Sequence, residues 1–513
     1  MRPLLILPLI LALAACKPQK QNPADARSSS KPILTASAET LPAPVDLTTS
    51  VVRINSTSQA WNPWQPWDKT PPRRRRALAA IVGPQRVLTT AELTANATYL
   101  EFESTDGTRL AQAKVIAVDY EANLVLLGPA DEAEGAKFFA GTVPFAISTP
   151  PVIGNNLDIL QVEENGMPLQ TTGTLQSVDL ESSLMPDQTF LTYMVKASMQ
   201  SAASSFSLPV LHNGRLAGVL LSYNSKDQIC DVASTNIVSR FLKEAKDGHY
   251  RGFPSLGVST ASTEDTAFRQ WLHLGENQGG LYIQTVRKGS AAALAGVKHG
   301  DVLLAVDGKT IDRRGYYKHP AYGTLSWMNL IRGEKFTGDK VKLSLLRDGK
   351  PLDITVTLTR QEATDRLVPD QIFDKEPSFL VKGGLVFQEL TVPLLQSFGD
   401  NWQSQAPLDL LDTWQNPEKY EDKVNRIVFL SGVIPTPATV GYEPLRNLIV
   451  HKVDGVEIKD MKSLIAAFDN HHDKLHSIEF SDENLTVYLD DTVTTAVDSE
   501  LLQRGITRLS HVE

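Results

Sequence analysis

From residue 51 to about 235 apolar and polar positions alternate in short runs broken by Gly, Asn and Pro. Val115-Ile116-Ala117-Val118, Asn123 to Leu127, Leu157 to Val162, Phe190 to Val195 and Leu216 to Leu221 are the clearest. Successive side chains on a strand point to opposite faces, so many such runs in series predict an all-β sandwich or barrel. "STNIVSRFLKEAKDG" departs from that rhythm with helical spacing, Ser234 or Thr235 standing at its cap and Gly248 near its end.

Two mixed segments follow. The first holds "FPSLGVST", a helical "TEDTAFRQWLHL", the strand "GLYIQTV", the stretch "KGSAAALAGVKHGDVLLAVDGKTI", a helical "GTLSWMNLIRG" and the alternating pair "KVKLSLLRDGKPLDITVTL", whose Arg347-Asp348-Gly349-Lys350 predicts a tight hairpin turn. The second, from about 363, repeats the plan loosely with "GGLVFQELTVPLLQSFG", "NRIVFLSGVIPTP", "NLIVHKVDGVEIKDMKSLIAAFDN" and "NLTVYLDD". "GDVLLAVDGKTID" and "NLIVHKVDGVEIKD" relate the two segments, each a strand ending in Val-Asp-Gly.

A chain of 513 residues, 42% hydrophobic and 21% charged, is long enough for two to four globular cores. The formal charge of -9 argues against a nucleic-acid binder, which needs a basic footprint. Arg73, Arg74, Arg75 and Arg76 form the one local exception, and mutual repulsion places them in solvent on a loop before a strand starting near Leu78.

The first residues, "MRPLLILPLILALAAC", combine a basic start, a short apolar run and small residues, the layout of a cleavable secretory signal. Leu13-Ala14-Ala15-Cys16 resembles a bacterial lipobox, which implies lipidation at Cys16, residues 1–15 as the signal peptide, and a membrane anchor. Lys17 resembles the residue found there in outer-membrane lipoproteins, so the expected location is the bacterial envelope, outer membrane, facing the periplasm. Residues 16–47, rich in Pro, Ser, Ala and charge, read as a flexible tether. Cys230, the other of the two cysteines, reads as a buried small apolar residue.

"NPWQPW" at 62, "RVLTTAE" at 86, "ANLVLL" at 122, "PVLHNGRLAGVLL" at 209, "RGFPSLGV" at 251 and "GDVLLAVDG" at 300 occur in the order of the Deg/HtrA trypsin-like serine proteases, and the chain from about 50 to 513 resembles that family, its plant-type branch in particular. The resemblance implies a mostly β fold: a chymotrypsin-like double β-barrel over 48–250, followed by two α+β PDZ domains at 251–362 and 363–513. It also implies trimer-based oligomers.

Such an enzyme needs a base, a carboxylate to orient it, and a nucleophile on a turn whose N–H groups hold the oxyanion. By the resemblance, Glu92 stands in the place of the histidine, and a carboxylate is a weak base for a serine proton at neutral pH. Asn123 stands in the place of the aspartate and supplies no charge. The nucleophile turn reads "SAASSFSLPV", without the glycines that let a backbone turn and aim its N–H groups. Counted from the left Ser204 falls on the nucleophile; counted back from Pro209, Phe206 does. No histidine precedes His212, which reads as a surface turn residue, so no displaced base is in chain order. The histidines of "FDNHHDKLH" lack metal-ligand spacing, and no cofactor motif is present.

What remains is peptide binding. A PDZ domain adds an extended C-terminal peptide to a sheet edge and holds its carboxylate with backbone N–H groups. By the resemblance Leu256, Gly257 and Val258 form the carboxylate loop, and Leu325, Met328 and Asn329 of a facing helix reach the groove. The expected function is a lipid-anchored pseudoprotease binding polypeptides or C-terminal peptides in envelope quality control, or regulating an active relative. The alternatives are a serine endopeptidase with a non-standard site at Ser204 and a purely structural assembly protein.

Overall fold

The computed structural model describes residues 47–163, 165–186, 188–199, 206–246, 248–470, 474–481 and 485–512. Cys16 and the tether up to residue 46, Ser204, His471 and His472 lie outside the described residues.

The alternating runs close into two six-stranded antiparallel barrels. Round the first run Val51–Ser58, Arg73–Gly83, Arg86–Thr89, Leu124–Pro129, Leu110–Asp119 and Ala97–Glu103, which returns to Val51–Ser58. Round the second run Pro168–Ser182, Thr189–Lys196, Ile229–Ala233, Arg215–Asn224, Pro209–His212 and Asn156–Val162. The run Ala77 to Ile81 carries no polar residue because both faces of its strand are buried. Ala77, Ala79 and Ile81 pack with Ile54, Phe102 and Leu127 in the first barrel's core. Leu78 and Ala80 belong instead to an apolar layer continuous with Leu175, Tyr193 and Val219 of the second barrel. The helix Thr235–Ala245 buries Ile237, Val238, Phe241 and Ala245 along one face.

The four arginines are not on a loop. Arg73 to Arg76 are the first residues of the strand Arg73–Gly83, paired with Asn55 to Ser58. Alternation sends neighbouring side chains to opposite faces, which removes the repulsion that argued for a loop. Arg76 pairs with Glu103, and Arg75 with Glu92 at 2.6 Å.

The first mixed segment folds as a sheet in the order Val258–Ala261, Leu281–Val286, Val302–Val306, Lys340–Arg347 and Lys350–Thr357. Its hairpin turns at Asp348 and Gly349, both at positive φ. The second segment orders Thr486–Asp490, Leu475–Phe480, Leu448–Val453, Val428–Val433, Leu385–Glu389, Phe379–Lys382 and Ser510–His511. The shared Val-Asp-Gly signature has one structural meaning. Asp307-Gly308 and Asp454-Gly455 both turn at positive φ, and each aspartate accepts a backbone N–H from the next strand, Lys342 at 2.8 Å and Ser477 at 2.7 Å. One expected helix is mostly something else: in "GTLSWMNLIRG", Gly323–Ser326 is a strand paired with Tyr316–His319, and only Asn329–Arg332 is helical.

Contacts inside residues 46–513 join the parts. The hairpin formed by Trp61–Asn62 and Gln65–Lys69, which contains "NPWQPW", meets the second segment through Gln388 Nε2 donating to the Pro63 carbonyl at 3.0 Å and Thr507 Oγ1 donating to the Trp67 carbonyl at 2.8 Å.

Candidate functional site

The residues that the resemblance assigns to a triad are held by other partners. Glu92 sits on the short helix Ala91–Thr94 and its carboxylate is held by Arg75. The Arg75 guanidinium in turn lies 4.7 Å from the ring centre of Phe206, close enough for a cation–π contact. Phe206 is half-buried against the first barrel's core. Asn123 is fully buried at φ 53°; its Oδ1 accepts the Glu92 backbone N–H at 2.9 Å and its Nδ2 donates to Ser183 Oγ at 2.9 Å. Glu92, Asn123 and Phe206 are thus brought to one place, Asn123 joined to the Glu92 backbone and Arg75, an exposed residue, bridging the Glu92 carboxylate and the Phe206 ring.

Ser207, next to Phe206, is the hydroxyl on this turn among the described residues. It is 1% exposed at φ 67°. Its Oγ accepts the Thr90 backbone N–H at 3.0 Å and bonds both the Thr90 hydroxyl, at 2.9 Å, and the Thr89 hydroxyl. Every partner is a neutral donor or hydroxyl, and none is a base.

His212 meets Ser148 Oγ through Nδ1 at 3.3 Å at the end of the strand Pro209–His212. Cys230 is buried, its thiol pushed up to about 12 by desolvation and then by Asp231, which leaves it unreactive at neutral pH.

The second place is a cavity of about 300 Å³ in the first mixed segment. One wall is the loop Pro254 to Val258 with the start of the strand Val258–Ala261, which is the edge strand of its sheet. Gly257 lets that loop curl at φ 73°, and a Cβ there would stand 2.3 Å from Ser290 Cβ. The loop is pinned outside the cavity by the Arg287 N–H donating to the Gly257 carbonyl at 2.9 Å and the Ala292 N–H donating to the Leu256 carbonyl at 3.0 Å. The facing wall is Trp327, Met328, Ile331 and Arg332.

Leu256, Gly257, Val258 and Met328 therefore line the groove, whereas Leu325 and Asn329 do not. Leu325 is fully buried within the strand Gly323–Ser326, and Asn329 turns inward to donate to the Tyr317 hydroxyl at 2.8 Å. The helix starts later than the sequence reading assumed, which shifts the groove-facing positions to 328, 331 and 332. The expected set, 325, 328 and 329, has the same i, i+3, i+4 spacing, so only the position of the helix start separates the two. Arg287 and Trp327 within the segment were also missed, and four lining residues come from outside it: Glu121, Gln188 and Thr189 of the barrels, and Arg366.

In the second segment the corresponding strand Leu385–Glu389 has a neighbour on both sides, Val428–Val433 and the chain's own Phe379–Lys382. A separate cavity of about 520 Å³ lies between the Trp61–Pro63 turn and this segment, lined by none of the expected triad or peptide-binding residues.

Two family models, each described as PDZ domain, match residues 254–358 and 368–508. Protease Do-like 2, chloroplastic, of Arabidopsis thaliana is 26% identical over 85% of this chain and 70% of its own length. Putative protease Do-like 3, mitochondrial, of the same plant is 24% identical over 81% of this chain and 71% of its own. The chain is a Deg/HtrA-type protein with two PDZ domains. Among solved structures, one described as HtrA-type protease AlgW with decapeptide is 17% identical, covering 61% of this chain and 96% of that chain at a TM-score of 0.45.

The two barrels of this Deg/HtrA-type chain have the chymotrypsin-like serine endopeptidase fold, as the family resemblance implied. The PDZ groove at 254–358 is joined to them by buried charge. Arg332 pairs with Glu121 at 3.2 Å and stacks on Phe190 at 5.1 Å, while Asp119, fully buried, accepts the Tyr250 hydroxyl at 2.7 Å and faces Arg360 at 3.6 Å. Burial raises the Glu121 carboxyl above its usual range, against the opposing pull of Arg332.

Proposed function

We propose that this protein is a Deg/HtrA-type pseudoprotease that binds polypeptide chains, by their C-termini, in the groove of its first PDZ domain. The observation that carries the loss of proteolysis is the Glu92–Arg75–Phe206 cluster: a carboxylate tied up by a guanidinium, and an aromatic ring at the nucleophile turn. In this reading Glu92 and Asn123 replace the histidine and aspartate of active relatives. Asn123 keeps only the part of holding the backbone at residue 92. A serine triad needs a neutral base within hydrogen-bond reach of the nucleophile. The partners of Ser207 offer none.

Peptide binding is supported by the open strand edge at Val258–Ala261 beside a curled glycine loop. The second PDZ domain has its equivalent edge covered by Phe379–Lys382 and serves in this reading as a docking module within the protein. The lipobox at Cys16 and the residues after it support anchoring on a membrane of the bacterial envelope, where such a protein would act in quality control or regulate an active relative through mixed, trimer-based assembly.

The test has two halves. Casein is not cleaved above the rate of a Ser204→Ala control, and a library of peptides with free C-termini binds the wild type but not Gly257→Trp. Cleavage that disappears in the control would overturn the pseudoprotease reading in favour of a serine endopeptidase. Binding of no peptide to either protein would favour a purely structural role.

A further inference from the structure

The inner end of the groove is charged. Three arginines, Arg287, Arg332 and Arg366, line it against a single carboxylate, Glu121. Arg366 is matched by Asp370. Among the described residues Arg287 makes no ion pair, its Nη1 donating to the neutral Gln361 Oε1 at 2.7 Å. Arg332 uses Nη2 toward Glu121, and its Nη1 is buried with no hydrogen-bond partner. Arg332 also stacks on Phe190, which packs at 4.9 Å against Phe253 just before the loop. Two more polar atoms of the lining are orphaned: Gln188 Oε1, on a side chain 5% exposed, and Thr189 Oγ1.

Of these orphaned atoms Arg332 Nη1 and the Thr189 hydroxyl can donate, whereas Gln188 Oε1 can only accept. Unpaired buried donors beside a desolvated guanidinium that makes no ion pair among the described residues are costly, and a native structure seldom keeps them together unless something completes them. Desolvation, with the Arg366 charge adding to it and Asp370, Glu421 and Glu121 opposing, depresses the proton affinity of Arg287. The same cause acts on Arg332 despite Glu121. An anion in the groove would offset both. The loop at Leu256 to Val258 is the expected seat of a terminal carboxylate, its Gly257 N–H here donating to Ser255 Oγ at 3.1 Å; Arg332 Nη1 and Arg287 are left to meet a second anion.

Resting on the peptide-binding reading above, we propose that this groove selects polypeptides whose last residue is acidic, so that two carboxylates enter together. The main-chain carboxylate lies on the loop, and the Asp or Glu side chain meets Arg332 Nη1 and Arg287, with the Thr189 hydroxyl able to donate to the same oxygens. Charge-assisted bonds of this kind are roughly twice as strong as neutral ones. Glu121 is the positioning partner that holds Arg332 in place on its other side.

Fluorescence polarisation of the full-length protein with three labelled peptides, identical except for a final Glu, Gln or Val, tests this. The Glu peptide is expected to bind on the order of tenfold tighter than the Gln peptide at low ionic strength, with the ratio falling as salt is added. Arg332→Gln should bring the Glu-to-Gln ratio close to one, and Arg287→Gln should lower it independently, each protein first checked for an unchanged circular dichroism spectrum. Equal or tighter binding of the Gln or Val peptide by the wild type overturns the acidic selectivity and leaves peptide binding standing. Failure of all three peptides to bind overturns both.

Discussion

Asn123 Oδ1 accepts the backbone N–H of Glu92 at 2.9 Å. Because Asn123 Nδ2 donates to Ser183 Oγ, one buried amide ties the short helix of the first barrel to the chain just beyond the long strand Pro168–Ser182 of the second. Asn123→Ala leaves a buried N–H without a partner and is expected to cost about 1–3 kcal/mol. Asn123→Asp keeps the acceptor, and the Ser183 hydroxyl can rotate to donate to it. Denaturant midpoints should rank wild type, Asp, then Ala, and the aspartate should not bring back cleavage of casein, because residue 92 is still not an imidazole.

Ser207 behaves as a structural hydroxyl. Ser207→Ala removes the acceptor for the Thr90 N–H and keeps a Cβ at φ 67°. Ser207→Gly loses the same bonds but relieves a left-handed backbone that costs roughly 1–2 kcal/mol for a residue with a side chain. Thermal melts should place the alanine variant below the glycine variant. Casein assays should read the same blank for both, whereas a catalytic Ser207 would give an activity that both changes abolish.

At Gly257 even one methyl group is too much. Its Cβ would stand 2.3 Å from Ser290 Cβ on a backbone at φ 73°, so Gly257→Ala must move the loop that frames the groove. The expected loss of affinity for C-terminal peptides is at least about tenfold, or 1.4 kcal/mol, while peptides amidated at the C-terminus bind neither protein.

Acid should loosen the first PDZ domain through His319. Its Nδ1 accepts the Ala321 and Tyr322 N–H groups, each at 3.2 Å, and its ring stacks on Tyr322, whose hydroxyl donates to the Pro151 carbonyl of the barrels at 3.0 Å. Desolvation lowers its proton affinity in the fold, with Glu334 opposing and Lys309 adding to the effect. The unfolded chain therefore binds the proton first. The contribution of His319 to stability is complete above about pH 6.5 and is lost as pH falls through the lower folded-state value. Melting temperature followed from pH 7.5 to 5 should fall more steeply for the wild type than for His319→Asn.

Much of the fold was legible because its signals are local. Alternating runs marked the barrel strands, Asp348-Gly349 marked the hairpin, and the repeated Val-Asp-Gly marked two copies of one turn. Where reading failed, the deciding contact was distant in sequence. Arg75 is exposed as expected, but its strand pairing and its contacts with Glu92 and Phe206 could not be read locally, and the groove helix was placed early because Trp327 and Met328 precede the helical turn that aims them. Within the site, Gly257 was readable as a bend; Arg332 with its partner Glu121, more than two hundred positions away, was not.

The outward-facing Leu78 and Ala80 of the first barrel bear on how this protein can be dissected. Their wall is shared with the second barrel, so a fragment cut near residue 150 would carry a bare greasy flank and should form inclusion bodies when expressed alone. Pieces meant for separate study have to keep residues 48–250 intact.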